Sequence, residues 1–432
     1  MSAYEERRKK LLETLGHGVV VLPAAPEAIR NNDVEHEYRQ DSDLHYLTGF
    51  DEPESVCVLA TDHPQHRFVL FVRPRDPDRE VWDGPRAGVD GAVERFGADA
   101  AYPISELAQR LPDYLQNHEK LVYRFGRDRR FDDKVLAAID ATRARGRAGS
   151  TWPVTFVDPA TLIHEMRLIK TEAELEIMRK AAAISKEAHV EAMRRTKPGL
   201  YEYEIEAVYR EIFRKRGSER CAYAPIVGSG PNATILHYRS NDRRMNDGEL
   251  LLVDAGCEFG YYASDVTRTW PVNGTFTKEQ RAIYEIVLDA QKASIEKVKP
   301  GATLDEVHRA SCEVIVDGLL KLGLLQGDRQ KILDEQLYRS FYMHRTSHWL
   351  GMDVHDVGFY FRDKKPRPLE PGMVLTIEPG IYISVSNDKV PADYRGIGVR
   401  IEDDIVVTAS GYENLTGDIP REVADVEHAC RS

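Results

Sequence analysis

Cysteine is scarce and unpatterned in this chain, with five residues in 432 (Cys57, Cys221, Cys257, Cys312 and Cys430). The number is odd, the spacings are wide and no pair has the C-x-x-C separation, which excludes a disulfide scaffold and a redox or zinc motif of that kind. A reduced, cytoplasmic setting is the expectation. No stretch reaches the ~18 consecutive apolar residues of a membrane span. The charged start Glu5-Glu6-Arg7-Arg8-Lys9-Lys10 leads into no apolar segment, unlike a secretory signal. Positive charge is also in deficit, 59 Lys and Arg against 71 Asp and Glu for a net charge of −12. That balance argues against nucleic acid or an anionic membrane as partner and leaves small molecules, peptides or proteins. There is no glycine-rich loop ending in Lys-Ser/Thr. Neither His36-Glu37 nor His164-Glu165 completes a His-Glu-x-x-His zinc motif, and Gly228-Ser229-Gly230 does not complete a nucleophile elbow.

What the chain does have is an ordinary globular composition, 42% hydrophobic and 30% charged, over a length that suits two or three domains. Short apolar runs at 18–22 and 68–72 alternate with helical stretches such as 134–144, the pattern of an α/β domain. A long helix is expected from Lys170 to Arg194, opened by Thr171 with Glu174 as a capping box. The domain boundary is therefore placed near residue 170, giving domains 1–170 and 171–432. The second contains a weak repeat. Thr196-Lys197-Pro198-Gly199 and Val298-Lys299-Pro300-Gly301 each end one helix and precede another, and a β-rich segment follows, 250–271 in one half and 373–408 in the other. The expectation is a duplicated α+β unit about a pseudo-twofold axis with a site between the halves. The alternative is that Lys-Pro-Gly is simply a common helix stop.

The acids sit in telling places. Leu250-Leu251-Leu252-Val253 is a strand by composition and ends in Asp254, and a second β-like run from Tyr261 to Trp270 carries Asp265. If the two pair about a turn at Phe259-Gly260, Asp254 and Asp265 lie directly opposite each other. Like charges so placed need a cation between them. The competing reading ends the strand at Asp254 through a turn bond and pairs Asp265 with Arg268. Glu378 ends the apolar run Val374-Leu375-Thr376-Ile377, and period-two alternation in 398–402 puts Arg400 and Glu402 on one face. Between these segments, His344, His348 and His355 fall within twelve residues. An oxygen-rich set of four carboxylates and one neutral imidazole suits Mn²⁺ or a similar ion better than a thiolate site would. Four carboxylates and a bridging hydroxide carry five negative charges, and two divalent cations offset four of them, so the set predicts two metals.

At these residues the chain resembles the pita-bread metallopeptidases, in particular their aminopeptidase P branch. The likeness is carried by Leu252-Val253-Asp254-Ala255-Gly256, Ser264-Asp265-Val266-Thr267-Arg268-Thr269, Ser347-His348-Trp349-Leu350-Gly351, Thr376-Ile377-Glu378-Pro379-Gly380 and Arg400-Ile401-Glu402-Asp403. The segment 39–50 resembles the non-catalytic first domain of that branch. The resemblance implies an α/β N-terminal domain followed by an α+β pita-bread catalytic domain. It implies metal ligation by Asp254, Asp265, His348, Glu378 and Glu402, with Asp265 and Glu402 bridging two ions, manganese first and zinc or cobalt as alternatives. Catalytic or substrate-positioning roles are implied for His237, His344, His355, Glu378 and Arg400. Tyr223 and Trp82 would lie near the bound peptide, with Trp82 reaching a neighbouring subunit of a homodimer or homotetramer. Arg345, after His344, departs from the family pattern, where a smaller residue is usual. The implied activity is removal of the N-terminal residue from peptides with proline second, by attack of a metal-bridging hydroxide. A prolidase restricted to Xaa-Pro dipeptides, a metal-free peptide-binding relative and a metal-free creatinase-type hydrolase are the alternatives.

Overall fold

The computed structural model describes residues 2–432, which divide into two compact units, one ending at Arg167 and the other Leu168–Ser432. The first is built on a six-stranded mixed sheet. Its strands are Val19–Pro23 (β1), Val56–Ala60 (β2), Phe68–Val72 (β3), Ala100–Pro103 (β4), Lys120–Val122 (β5) and Thr155–Val157 (β6), ordered β4-β3-β2-β1-β5-β6. β2 is buried along its whole length, so its run Val-Cys-Val-Leu-Ala reads as continuous apolar sequence and not as alternation. Helices Leu107–Leu115 and Arg129–Ala144 pack one face of this sheet through Leu111, Leu115, Val135 and Ile139.

The second unit is the duplicated α+β architecture that the sequence pattern implies. Helix α1 (Glu172–Arg195) opens with the Thr171–Glu174 capping box and packs on α2 (Glu202–Lys215). Helices α3 (Lys278–Ile295) and α4 (Leu304–Lys321) form the equivalent pair. The Lys-Pro-Gly turns occupy matching positions. Gly199 and Gly301 both adopt left-handed backbone, φ +93° and +85°, where glycine is the unstrained residue. The Gly199 N–H donates to Met245 O and the Gly301 N–H to Leu369 O, each at 2.9 Å. Met245 and Leu369 each stand five residues before a central strand, Leu250–Asp254 in the first half and Val374–Ile377 in the second. A shared hydrogen-bond scheme at matching positions goes beyond a common helix stop.

In the first half the strands are Arg220–Cys221 (β7), Ile226–Ser229 (β8), Leu250–Asp254 (β9), Cys257–Phe259 (β10), Tyr262–Ala263 (β11) and Thr267–Pro271 (β12). Here the structure corrects the expected register. β9 and β12 pair with Asp254 opposite Thr267, and β10 and β11 pair with Phe259 opposite Tyr262. The turn is thus Gly260-Tyr261, one residue later than expected. Both turn residues have positive φ, +55° and +67°, as a two-residue turn matched to the strand twist requires. Moving the turn by one residue shifts the pairing by two, so Asp265 is the diagonal neighbour of Asp254, still on the same face. The second half places Val374–Ile377 (β13), Gly380–Tyr382 (β14), Gly398–Arg400 (β15) and Asp403–Val407 (β16) beside one another, β13 with β16 and β14 with β15.

The hairpin folds tightly at Gly256, where an added Cβ would lie 1.8 Å from the backbone oxygen of Ser264. Backbone cannot swing aside as a side chain can. Gly256→Ala is therefore expected to cost about 3 kcal/mol, the upper end of ordinary overpacking penalties. A denaturant midpoint equal to that of the unsubstituted protein would contradict this.

Candidate metal centre

Four strand ends and one extended segment bring the predicted side chains together. Residues 346–350 run beside β13, with Trp349 opposite Leu375, the His348 O accepting from the Thr376 N–H at 3.0 Å and the Thr346 O from the Glu378 N–H at 2.8 Å. His348 and Glu378 are thus diagonal neighbours, the same relation that Asp254 and Asp265 have in the other half. Glu402 follows β15 and joins the halves, its N–H donating to Thr267 O at 3.0 Å.

The side chains of Asp254, Asp265, His348, Glu378 and Glu402, with His237, His344, His355 and Arg400, line one cavity of about 580 Å³. Asp265, His348 and Glu402 each offer a ligand atom, and these atoms lie within 4.8 Å of one another. His348 Nε2 is 3.3 Å from Asp265 Oδ2 and 3.6 Å from Glu378 Oε1. Its Nδ1 donates to the Trp349 carbonyl at 3.0 Å, a contact that fixes the ring and leaves Nε2 for the carboxylates or a metal. The Tyr223 hydroxyl lies 2.5 Å from Asp254 Oδ1 and 2.6 Å from Asp265 Oδ1, so its one proton serves two acids.

Around these sit groups that sequence reasoning passed over. Thr267 Oγ1 donates to Glu402 Oε2 at 2.7 Å and accepts from Arg400 Nε at 3.0 Å. Arg400 then donates to Asp254 Oδ2 at 2.6 Å and to the Tyr382 hydroxyl at 3.0 Å, and Tyr382 reaches His344 Nε2 at 2.8 Å. Because His344 Nδ1 faces the Arg345 carbonyl at 2.8 Å, Nε2 is its acceptor and the relay Arg400–Tyr382–His344 is fully paired. Thr267 lies inside a motif already singled out, but its place opposite Asp254 appears only in the corrected register. Tyr382 had only its alternation with Ile381 in a short strand. The pairing of Asp265 with Arg268 is corrected. Arg268 points to the opposite face and is fully buried against Asp403, Nη2 to Oδ1 at 2.6 Å, while the Asp265 N–H approaches Asp404. His355 packs edge-on to His348, ring centroids 4.4 Å apart. Trp82 stands on helix Pro77–Asp83 of the first unit with its side chain 83% exposed.

Electrostatics tests whether cations suit this set. Burial and repulsion from Asp265 and its neighbours hold the Glu402 carboxyl well above its ordinary range. Burial raises Glu378 to about 7 despite the attraction of His348 and Arg400. Burial would depress His348, yet Asp265 and Glu378 outweigh it and hold the imidazole at about 9. Asp265 itself is held low, chiefly by His348 against burial. Without metal, the cluster retains protons where divalent ions would otherwise supply positive charge. An oxygen-rich set with one imidazole fits such ions.

The pH consequence has a definite sign. Glu378 binds its proton more tightly folded, about 7 against 4.5, and so does His348, about 9 against 6.5. Each contributes stability that is complete below the unfolded value and lost as pH rises through the folded one. Chelator-treated protein should therefore melt at progressively lower temperature from pH 5 to pH 9, while metal-loaded protein should hold its melting temperature better over that span. Parallel profiles would refute the charge account.

Residues 176–409 match metallopeptidase family M24, and residues 4–123 match the aminopeptidase P N-terminal domain. The chain is 44% identical to the Xaa-Pro aminopeptidase of Escherichia coli (strain K12) over 98% of this chain and 96% of that one. The structure of Pseudomonas aeruginosa aminopeptidase PepP superposes with a TM-score of 0.97 at 49% identity, covering 99% and 97% of the two chains. Zinc-substituted aminopeptidase P of Escherichia coli, in complex with product, superposes at 0.95 with 43% identity, covering 100% and 98%. With the N-terminal domain, the full-length likeness and the converging acids and histidines all in agreement, the chain belongs to metallopeptidase family M24, in its aminopeptidase P (Xaa-Pro aminopeptidase) branch.

Proposed function

We propose that this enzyme removes the N-terminal residue from peptides with proline in the second position, using two divalent ions, manganese first, held by Asp254, Asp265, His348, Glu378 and Glu402. The observation that carries the reading is the convergence of these five side chains from both halves of the duplicated unit on a single cavity. Asp265 and Glu402, whose ligand atoms lie within 4.8 Å of each other at the seam, would help hold the ions there. The ions supply Lewis acidity and a water acidic enough to be a nucleophile near neutral pH.

The protein's own groups do the rest. Glu378 accepts the proton of the attacking water and passes it to the proline nitrogen, which must be protonated to leave. His237 and His355, on the cavity wall, donate to the oxygen that gains charge as the carbonyl becomes tetrahedral. Arg400 holds Asp254 in place through its 2.6 Å contact, opposing the rise that burial imposes on that carboxyl, and holds His344 through Tyr382. Tyr223 positions Asp254 and Asp265. Trp82, exposed in one chain, suits contact with peptide held by a neighbouring subunit of a homo-oligomer. All five cysteines lack disulfide partners, in keeping with a reduced cytoplasmic setting.

The test is to compare manganese-loaded and chelator-stripped protein on a Xaa-Pro dipeptide and on a Xaa-Pro-Xaa tripeptide. Cleavage of the tripeptide that is lost on chelation and restored by Mn²⁺ is expected. Cleavage of the dipeptide alone would replace this reading with a prolidase. Glu378→Gln should lower kcat by ~10²–10⁴-fold, the usual worth of a proton-transferring group. Full activity in that variant would remove Glu378 from its role.

A further inference from the structure

Cys221 and Cys257, distant in the sequence, are directly opposite each other in the antiparallel pairing of β7 with β10. The Ala222 N–H donates to Gly256 O at 2.9 Å, which makes 222 and 256 the hydrogen-bonded pair and leaves 221 and 257 at a non-hydrogen-bonded position. In agreement, the Cys257 N–H points at the Ser185 and Ser264 hydroxyls, at 3.3 and 3.2 Å. Cα atoms at such positions are ~4.5 Å apart with side chains on one face. That lies at the short end of the roughly 4.4–6.8 Å range a disulfide spans, so the bond can close but under strain, the condition for a readily reduced disulfide.

The two thiols differ in a useful way. Cys221 is partly exposed, with an Arg210 guanidinium N–H 3.9 Å from its sulfur. Cys257 is fully buried, its thiol directed to Ala181 O at 3.4 Å. One is placed to react with a solute and the other to resolve the product.

We infer that Cys221 and Cys257 form a reversible disulfide whose closure lowers catalytic activity by displacing Tyr223. The chemistry balances with a low-molecular-weight disulfide as oxidant. The Cys221 thiolate attacks one sulfur of RS–SR, forming a mixed disulfide and releasing RS⁻. Cys257 then attacks the Cys221 sulfur, expels a second RS⁻ and gives up its proton, so that two cysteine thiols are oxidised and one RS–SR is reduced to two RSH. The coupling to the site is short. Cys221 lies two residues before Tyr223, whose hydroxyl contacts both Asp254 and Asp265, and Cys257 lies three residues after Asp254. β7 pairs with β10 at Cys221 and Arg220, and the next pair toward Tyr223 is Ala222 with Gly256, so a strained link at Cys221 is passed directly to the chain leading into Tyr223.

The effect on catalysis rests on the Xaa-Pro aminopeptidase reading, whereas disulfide formation does not. Metal-loaded full-length protein is incubated with oxidised glutathione, alkylated and peptide-mapped, with tripeptide cleavage followed in parallel. Expected are a Cys221–Cys257 linked peptide, a mass loss of about 2 Da for two hydrogens, and a fall in kcat that a phosphine reductant reverses. Cys221→Ser should show neither the link nor the fall. No linked peptide in the oxidised wild-type protein would overturn the proposal, and so would a linked protein with unchanged kcat or an equal reversible loss in Cys221→Ser. Failure of the reduced enzyme to cleave any Xaa-Pro peptide would instead sink the functional reading and leave the mapping result to stand.

Discussion

Four carboxylates crowded into one buried cavity repel one another, and most of the second unit's architecture around the site answers that repulsion. Arg400 binds Asp254, Tyr223 shares a proton between Asp254 and Asp265, Thr267 donates to Glu402, and His348 faces Asp265 and Glu378. These neutral and cationic partners are too few. Glu402 and Glu378 are still held above their ordinary range, a burden that such a site bears only if cations relieve it.

Duplication explains how the acids come so close without collapsing the fold. Each half offers two ligands as diagonal neighbours on a pair of extended segments, Asp254 with Asp265 and His348 with Glu378. A diagonal keeps like charges farther apart than a direct pair while aiming both at the same face. The seam between halves then delivers Glu402, and beneath it the buried Arg268–Asp403 pair anchors the same two segments from the other side. Asp403 receives further donors from Arg421, Gln291, Asn414 and Thr416, so that buried charge is well paired.

Much of this was legible beforehand because it depends on local pattern. An acid ending an apolar strand is costly wherever the strand packs, and Asp254 and Glu378 are conspicuous for that reason alone. The Thr171–Glu174 capping box and the two Lys-Pro-Gly stops likewise reflect short-range chemistry. The hairpin register was not legible. Phe259-Gly260 and Gly260-Tyr261 are both plausible turns by composition, and the choice fell to Tyr261 accepting a left-handed conformation that a bulky residue seldom adopts. Tyr382 was passed over because a tyrosine in a short apolar strand has no local mark of its link to Arg400 and His344.

The amino-acid sequence by itself determined the kind of chemistry. Residue types, their placement at strand ends and the repeated helix-stop pattern depend on interactions a few residues long. Tertiary structure alone decided which groups act together. Asp254 and Arg400 meet although 146 residues separate them, Asp265 turns from Arg268 to His348, and Cys221 lies across from Cys257. Such pairings are settled by strand register and by how the two halves close on each other, and both are set by the burial of distant apolar faces that no local window contains.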